Sequence, residues 1–225
     1  KKKSPGVVGI STVTDSYQPL EKKYNLTRFC LEQLLQYDFP VHIQTKSALV
    51  VRDIDLLTRF TNSQVMFSIG TLQDNERKIL EPETSPIQDR ISALQTCSNA
   101  GLKTAVFFGP VYPTTDIDEI PRFLDTLKDA GVQEIWIDIL RLKPGVWENV
   151  RKTLQQDSEI SRRFLKPMQQ PLEYCWLFTP GLLLFAPAFS LSYCLSVGMY
   201  PFLQLSPGLC FLSSCSHYSM TPHGC

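Results

Sequence analysis

Along residues 7–156, short apolar runs alternate with longer amphipathic ones, and that alternation leaves few folds open. Val7 to Val13 (VVGISTV), Val41 to Thr45 (VHIQT), Gln64 to Ile69 (QVMFSI), Lys103 to Gly109 (KTAVFFG) and Glu134 to Leu140 (EIWIDIL) read as strands. Between them, Leu26 to Tyr37, with apolar Leu26, Phe29, Cys30, Leu34 and Leu35, has helical spacing. Arg52 to Phe60 reads as a short helix. Ser85 then Pro86 suit an N-cap followed by a first-turn proline, opening a helix that runs to Ala100 and stops at Gly101. Asp116 to Ala130, closed by Gly131, and Val146 to Gln156 complete the pattern. Strand–helix alternation predicts parallel strands joined by crossover helices, in a barrel section or an open doubly wound sheet. No glycine-rich phosphate loop follows the first strand, which favours the barrel over a nucleotide-binding sheet.

The chain has two unlike parts. Residues 1–173 hold every Lys, Arg, Asp and Glu, whereas residues 174–225 hold none, and five of the seven cysteines. Hydrophobic residues at 43% and charged residues at 20% suit a packed core. The formal net charge of +0 gives no global sign of a nucleic-acid or membrane surface. The expected layout is a barrel over 1–160, a linker over 161–173 and an apolar tail over 174–225. That tail, interrupted by Pro180, Pro187 and Pro201, reads as a stretch foreign to the fold, out of frame or mis-spliced. A membrane segment over Cys175 to Tyr200 and a metal site at Cys210 and Cys215 are the competing readings. The start shows no secretory pattern, Cys30 and Cys97 read as buried free thiols, and the body reads as cytoplasmic.

In a parallel barrel the reactive groups gather at the C-terminal strand ends. Those ends carry Thr14 and Asp15, then Thr45, Lys46 and Ser47, then Ser68, then Gly109 and Pro110, and last Arg141. Asp15 equally suits a turn cap. Ser68 equally suits a satisfied strand hydroxyl, and Arg141 a surface pair with Asp138 or Glu134. Lys46 directly after a buried strand implies a partner. Together, a carboxylate, an ammonium and hydroxyls suit a zwitterionic, ribose-bearing ligand.

Thr14-Asp15-Ser16-Tyr17-Gln18-Pro19-Leu20-Glu21, with Leu26-Thr27-Arg28, resembles a segment of spore photoproduct lyase-like radical S-adenosylmethionine proteins, except that the family usually has proline at Ser16. Thr45-Lys46-Ser47 with Arg52-Asp53-Ile54-Asp55-Leu56-Leu57 resembles their next segment. So do Ser68, Glu81-Pro82, Pro86 and Arg90, then Pro110 and Pro113, then Leu140-Arg141-Leu142. The resemblance implies an α/β fold, a partial (β/α) barrel, here lacking its first strand. It implies a 4Fe–4S cluster on a C-x3-C-x2-C loop, where S-adenosylmethionine is cleaved to a 5′-deoxyadenosyl radical. No such spacing occurs in this chain, so the cluster is not expected to be bound by it, and the chain reads as an enzyme fragment. By the resemblance, Thr14 and Asp15 lie by the methionyl amine, Lys46 by the carboxylate or ribose, and Ser68 on a ribose hydroxyl, with Arg90 as a further contact. DNA-lesion repair, and with it a nucleic-acid partner, follows by family analogy only. The alternative is a cluster-less barrel serving as a nucleotide or protein binding module.

Overall fold

A computed structural model of the protein describes residues 6–11, 13–140, 145–168, 189–194 and 202–207. Five parallel strands run in sequence order: β1 (Val8–Ile10), β2 (Val41–Thr45), β3 (Ser63–Ser68), β4 (Lys103–Val111) and β5 (Glu134–Ile139). Their connections carry α1 (Glu21–Tyr24) and α2 (Leu26–Leu35), then a 3-10 turn (Ala48–Asp53) and α3 (Ile54–Leu57). Next come α4 (Asp74–Leu80) and α5 (Ile87–Asn99), then a second 3-10 turn (Ile117–Glu119) and α6 (Ile120–Asp129). Two helices, α7 (Val146–Leu154) and α8 (Ser158–Met168), follow β5.

The period-2 pattern of β2 shows how the layers form. Val41, Ile43 and Thr45 are buried, while His42 and Gln44 are half-buried on the other face. The buried set joins Val65, Phe67, Val106, Phe108 and Ile135 in one core with Leu31, Val50, Leu57, Leu94 and Leu127 from the helices. The helices of all four connections therefore cover one face of the sheet. A doubly wound sheet would divide them between both faces, so the architecture is the partial barrel. The opposite face, with Gln44, Gln64 and Ser68, is its interior.

Four expectations are corrected. The first strand ends at Ile10 rather than Val13, because Ser11 takes φ 77, which breaks an extended run. Pro86 is itself the N-cap of α5, and the Ser85 hydroxyl oxygen instead accepts a bond from the Ala48 N–H. The linker expected at 161–173 starts inside α8, whose Ile160 and Phe164 are buried with Tyr112 and Leu154. Finally, two described segments of the tail extend the sheet. Strands β6 (Phe189–Cys194) and β7 (Phe202–Pro207) pair antiparallel with each other, and β7 pairs antiparallel with β5. The open edge of β5 offers unpaired backbone groups, and a strand from any segment can satisfy them. The tail's cysteine-ligand and membrane readings fall on residues outside those described, apart from the two strands. Among the described residues no helix is long and apolar enough to cross a membrane.

The burial of α8 has a direct test. Ile160→Val is expected to cost about 1 kcal/mol in urea unfolding, since Ile160 is 6% exposed. A change indistinguishable from zero would return residues 161–168 to linker status.

Candidate functional site

Asp15 ties the loop after β1 to the end of β2. Its Oδ1 accepts from the Tyr17 N–H at 2.9 Å and from the Thr45 hydroxyl at 2.8 Å, and its Oδ2 accepts from the Lys46 N–H at 2.7 Å. The carboxylate thus caps its own turn and also pins the start of the Lys46 segment. It is half-buried. Thr14 beside it is exposed.

Lys46 has the partner its position demands, and that partner is Glu81. The Lys46 ammonium lies 2.7 Å from Glu81 Oε1, and the Glu81 side chain is 4% exposed. The same oxygen accepts from the Tyr112 hydroxyl at 3.2 Å, while Oε2 accepts from Arg90 Nη2 at 2.9 Å. Burial alone would raise the Glu81 carboxyl, but the Lys46 ammonium and the Arg90 guanidinium outweigh it and hold the carboxyl below its usual range. Tyr112 is pushed up by its burial and by the adjacent Glu81 charge.

Arg90 is corrected from a ligand contact to a support. Its side chain is 0% exposed. Its Nε donates to Ser85 O, its Nη1 to Ser68 O at 2.8 Å, and its Nη2 to Glu81 and to the Thr84 hydroxyl. Arg90 thus fixes the carbonyl of Ser68 at the end of β3. The Ser68 hydroxyl oxygen accepts from Gln44 Nε2 at 3.1 Å, which leaves its proton available to donate.

Two cations therefore share one buried carboxylate, and the surplus positive charge reaches the surface at Lys46, 34% exposed. The mouth presents an ammonium and a half-buried carboxylate, and at the third adjacent strand end stands the Ser68 hydroxyl, on a residue only 4% exposed. That set can hold a zwitterion bearing a diol. A 4Fe–4S cluster does not fit the described residues: among them no group of three or more His, Cys, Asp or Glu could hold a metal. Cys97 is buried and Cys30 is exposed, which corrects the expectation that both thiols are buried. The expected contact at Arg141 lies outside the described residues.

No family model matches the chain. An uncharacterized protein of Methanocaldococcus jannaschii is 36% identical over 108 residues, which cover 48% of this chain and 41% of that protein. An uncharacterized protein of Acidianus two-tailed virus is 27% identical over 172 residues, 70% of this chain and 56% of the relative. The chain thus spans about half the length of these curated relatives. A radical SAM Nalpha-GlyT isomerase of Pseudomonas phage M6 is 26% identical over 122 residues, 54% of this chain and 25% of that one. A mutant spore photoproduct lyase with dinucleoside spore photoproduct superposes with TM-score 0.57 at 12% identity, over 92% of this chain and 55% of that one. A second mutant, with bound AdoMet and the same dinucleoside, gives 0.50 at 13%, over 92% and 54%. The fold is that of spore photoproduct lyase.

Most segments that resemble spore photoproduct lyase-like proteins serve as scaffold in this chain. Asp53, 0% exposed, accepts from Arg28 Nη1, from Arg52 Nε and Nη2, and from the Tyr17 hydroxyl. Glu21 accepts from Arg52 Nη2 at 2.8 Å and from the Thr27 N–H at 3.1 Å. This clasp locks the loop after β1 onto the turn after β2, and so sets the height at which Asp15 and Lys46 stand. Glu81, Tyr112 and Gln44 were absent from the expected site. Glu81 stood in the sequence only as part of the resembling Glu81-Pro82 pair, and its role was signalled by the charge on Lys46, which required an answering carboxylate.

Proposed function

We propose that this chain is the central part of a radical S-adenosylmethionine enzyme and that its mouth holds the methionyl and ribose groups of that cofactor. The observation that carries the reading is the Lys46 ammonium, seated on buried Glu81 between Asp15 and Ser68 at the strand ends of a spore photoproduct lyase fold. Lys46 offers a charged donor to the ligand carboxylate. Asp15 offers an acceptor to the amine, and the Ser68 hydroxyl donates to a ribose oxygen. Thr14, exposed beside Asp15, is assigned a further contact on the amine. When bound to a reduced cluster, S-adenosylmethionine supplies a carbon radical that abstracts hydrogen. The residues described hold no such cluster, and no chemical step is assigned to them. The dinucleoside in the neighbouring lyase structures makes a nucleic-acid lesion the substrate class to test first.

Calorimetric titration of the chain with S-adenosylhomocysteine tests the cofactor reading without the cluster, because both keep the amino acid and the ribose. Saturable binding is expected, and Lys46→Ala is expected to weaken it roughly tenfold or more, given about 1.5–3 kcal/mol for a hydrogen bond to a charged group. Equal affinity in the two proteins, or no saturation in the unsubstituted chain, would sink the assignment.

A further inference from the structure

The interior face of the sheet carries a second polar arrangement, below the mouth and separate from it. His42 on β2, Gln64 on β3 and Glu134 on β5 form a chain of hydrogen bonds. His42 Nδ1 lies 2.9 Å from Gln64 Oε1, Gln64 Nε2 donates to Glu134 Oε2 at 3.2 Å, and Trp136 Nε1 donates to the same oxygen at 3.3 Å. The bridge spans β4, where Ala105, paired with Glu134 in register, puts only a methyl on this face. Gln64 and His42 are themselves register partners.

Donor and acceptor counting fixes the direction of this chain. An ionised carboxylate only accepts, so Glu134 must face the amide nitrogen of Gln64. The Gln64 carbonyl then faces His42, and the only bond it can make there is from an Nδ1–H. The neutral imidazole is thereby held in the Nδ1–H form, with Nε2 an acceptor. Among the described residues nothing bonds Nε2. His42 is half-buried on the face that lines the barrel.

We infer that Glu134 and Gln64 are positioning residues that lock the tautomer of His42, and that His42 Nε2 is a hydrogen-bond acceptor for an N–H or O–H group of a substrate seated inside the barrel. The substrate-facing half rests on the proposed function, whereas the tautomer lock stands without it. The arrangement gives the inner face of the sheet a polar acceptor of fixed tautomer.

The test needs neither cofactor nor substrate. Long-range proton–nitrogen correlation on the chain labelled with 15N-histidine reads the tautomer at a pH above the ordinary imidazole value of about 6.5. A single Nδ1–H form is expected for His42. Glu134→Gln retains size and hydrogen bonding but can turn either end toward Gln64, so His42 is expected to populate both tautomers. Gln64→Met, which removes the bridge, is expected to shift the population toward Nε2–H. An Nε2–H form in the unsubstituted chain, or no change in either variant, would overturn the lock. Diethylpyrocarbonate, which attacks an unprotonated ring nitrogen, reads access: peptide mapping is expected to find His42 modified. An unmodified His42 in a chain with the Nδ1–H signature would overturn the substrate contact alone. Failure of S-adenosylhomocysteine binding would leave both of these outcomes intact.

Discussion

Asp53→Ala is expected to lower stability by about 2–3 kcal/mol, most of it from a buried hydroxyl left without its acceptor and the rest from two weakened, partly exposed ion pairs. The Asp53 carboxylate is 0% exposed and gathers four donors from three elements: Arg28 Nη1 at 2.9 Å, Arg52 Nε at 2.9 Å and Nη2 at 2.8 Å, and the Tyr17 hydroxyl at 3.1 Å. Two features set the size of the loss. Both arginines keep another carboxylate, Arg28 with Asp55 and Arg52 with Glu21, so neither becomes an isolated charge. Tyr17, however, is 1% exposed and loses its hydroxyl's acceptor, which alone costs about 1–3 kcal/mol. Asp55 is the control. Its side chain is 59% exposed, and Asp55→Ala should cost no more than about 1 kcal/mol although its bonds to Arg28 are bidentate. Urea unfolding of the two variants measures the contrast. Equal losses would show that burial does not govern this clasp.

That clasp shows why the fold was more legible than the site. β2 was read to the residue because VHIQT alternates cleanly and burial follows the alternation. Helix α4 was missed for the opposite reason. Its sequence, DNERKIL, offers only Ile79 and Leu80 as apolar residues, and its buried positions are Glu76 and Arg77, so no apolar stripe marks it. Glu81 follows directly on that helix, and missing α4 hid the carboxylate that answers Lys46. Strands β6 and β7 were hidden by scale. The absence of charge across 174–225 masks a local pattern, for FSLSYC within it alternates as a strand does. Ser16, the one departure from the resembling segment, gained its meaning only from the structure. Its N–H donates to the Ser11 hydroxyl at 2.8 Å, a bond proline cannot make.

The junction at Glu81 is where stability and ligand binding meet, and Glu81→Gln is expected to cost about 3 kcal/mol near neutral pH, by leaving a buried charge without its counterion. The substitution keeps the volume, so the loss is electrostatic. Arg90, with a side chain 0% exposed, cannot move to water and bears most of it. Its bonds to Ser68 O, Ser85 O and the Thr84 hydroxyl keep the loss from growing further. Lys46, 34% exposed, can turn outward and recover hydration. The pH dependence separates charge from shape. The folded-state pKa of Glu81 lies below its ordinary 4.5. A depressed carboxyl contributes stability that is fully present above its unfolded pKa and is lost as pH falls through the folded value. The gap between the unsubstituted chain and Glu81→Gln should therefore be constant above about pH 5 and narrow as the pH falls below about 4.5. Glu21, Asp38, Asp55 and Asp74 are also held down, by arginine partners or hydrogen bonds, but they titrate in both proteins and cancel from the difference. Urea unfolding across that range reads the gap directly. A gap that stays constant to low pH would mean that Glu81 acts through shape alone, and the electrostatic account of Lys46 would fall with it. The same variant should also bind S-adenosylhomocysteine more weakly. Without Glu81 nothing among the described residues holds the Lys46 ammonium at the mouth, and the ligand would have to order that side chain at its own entropic cost.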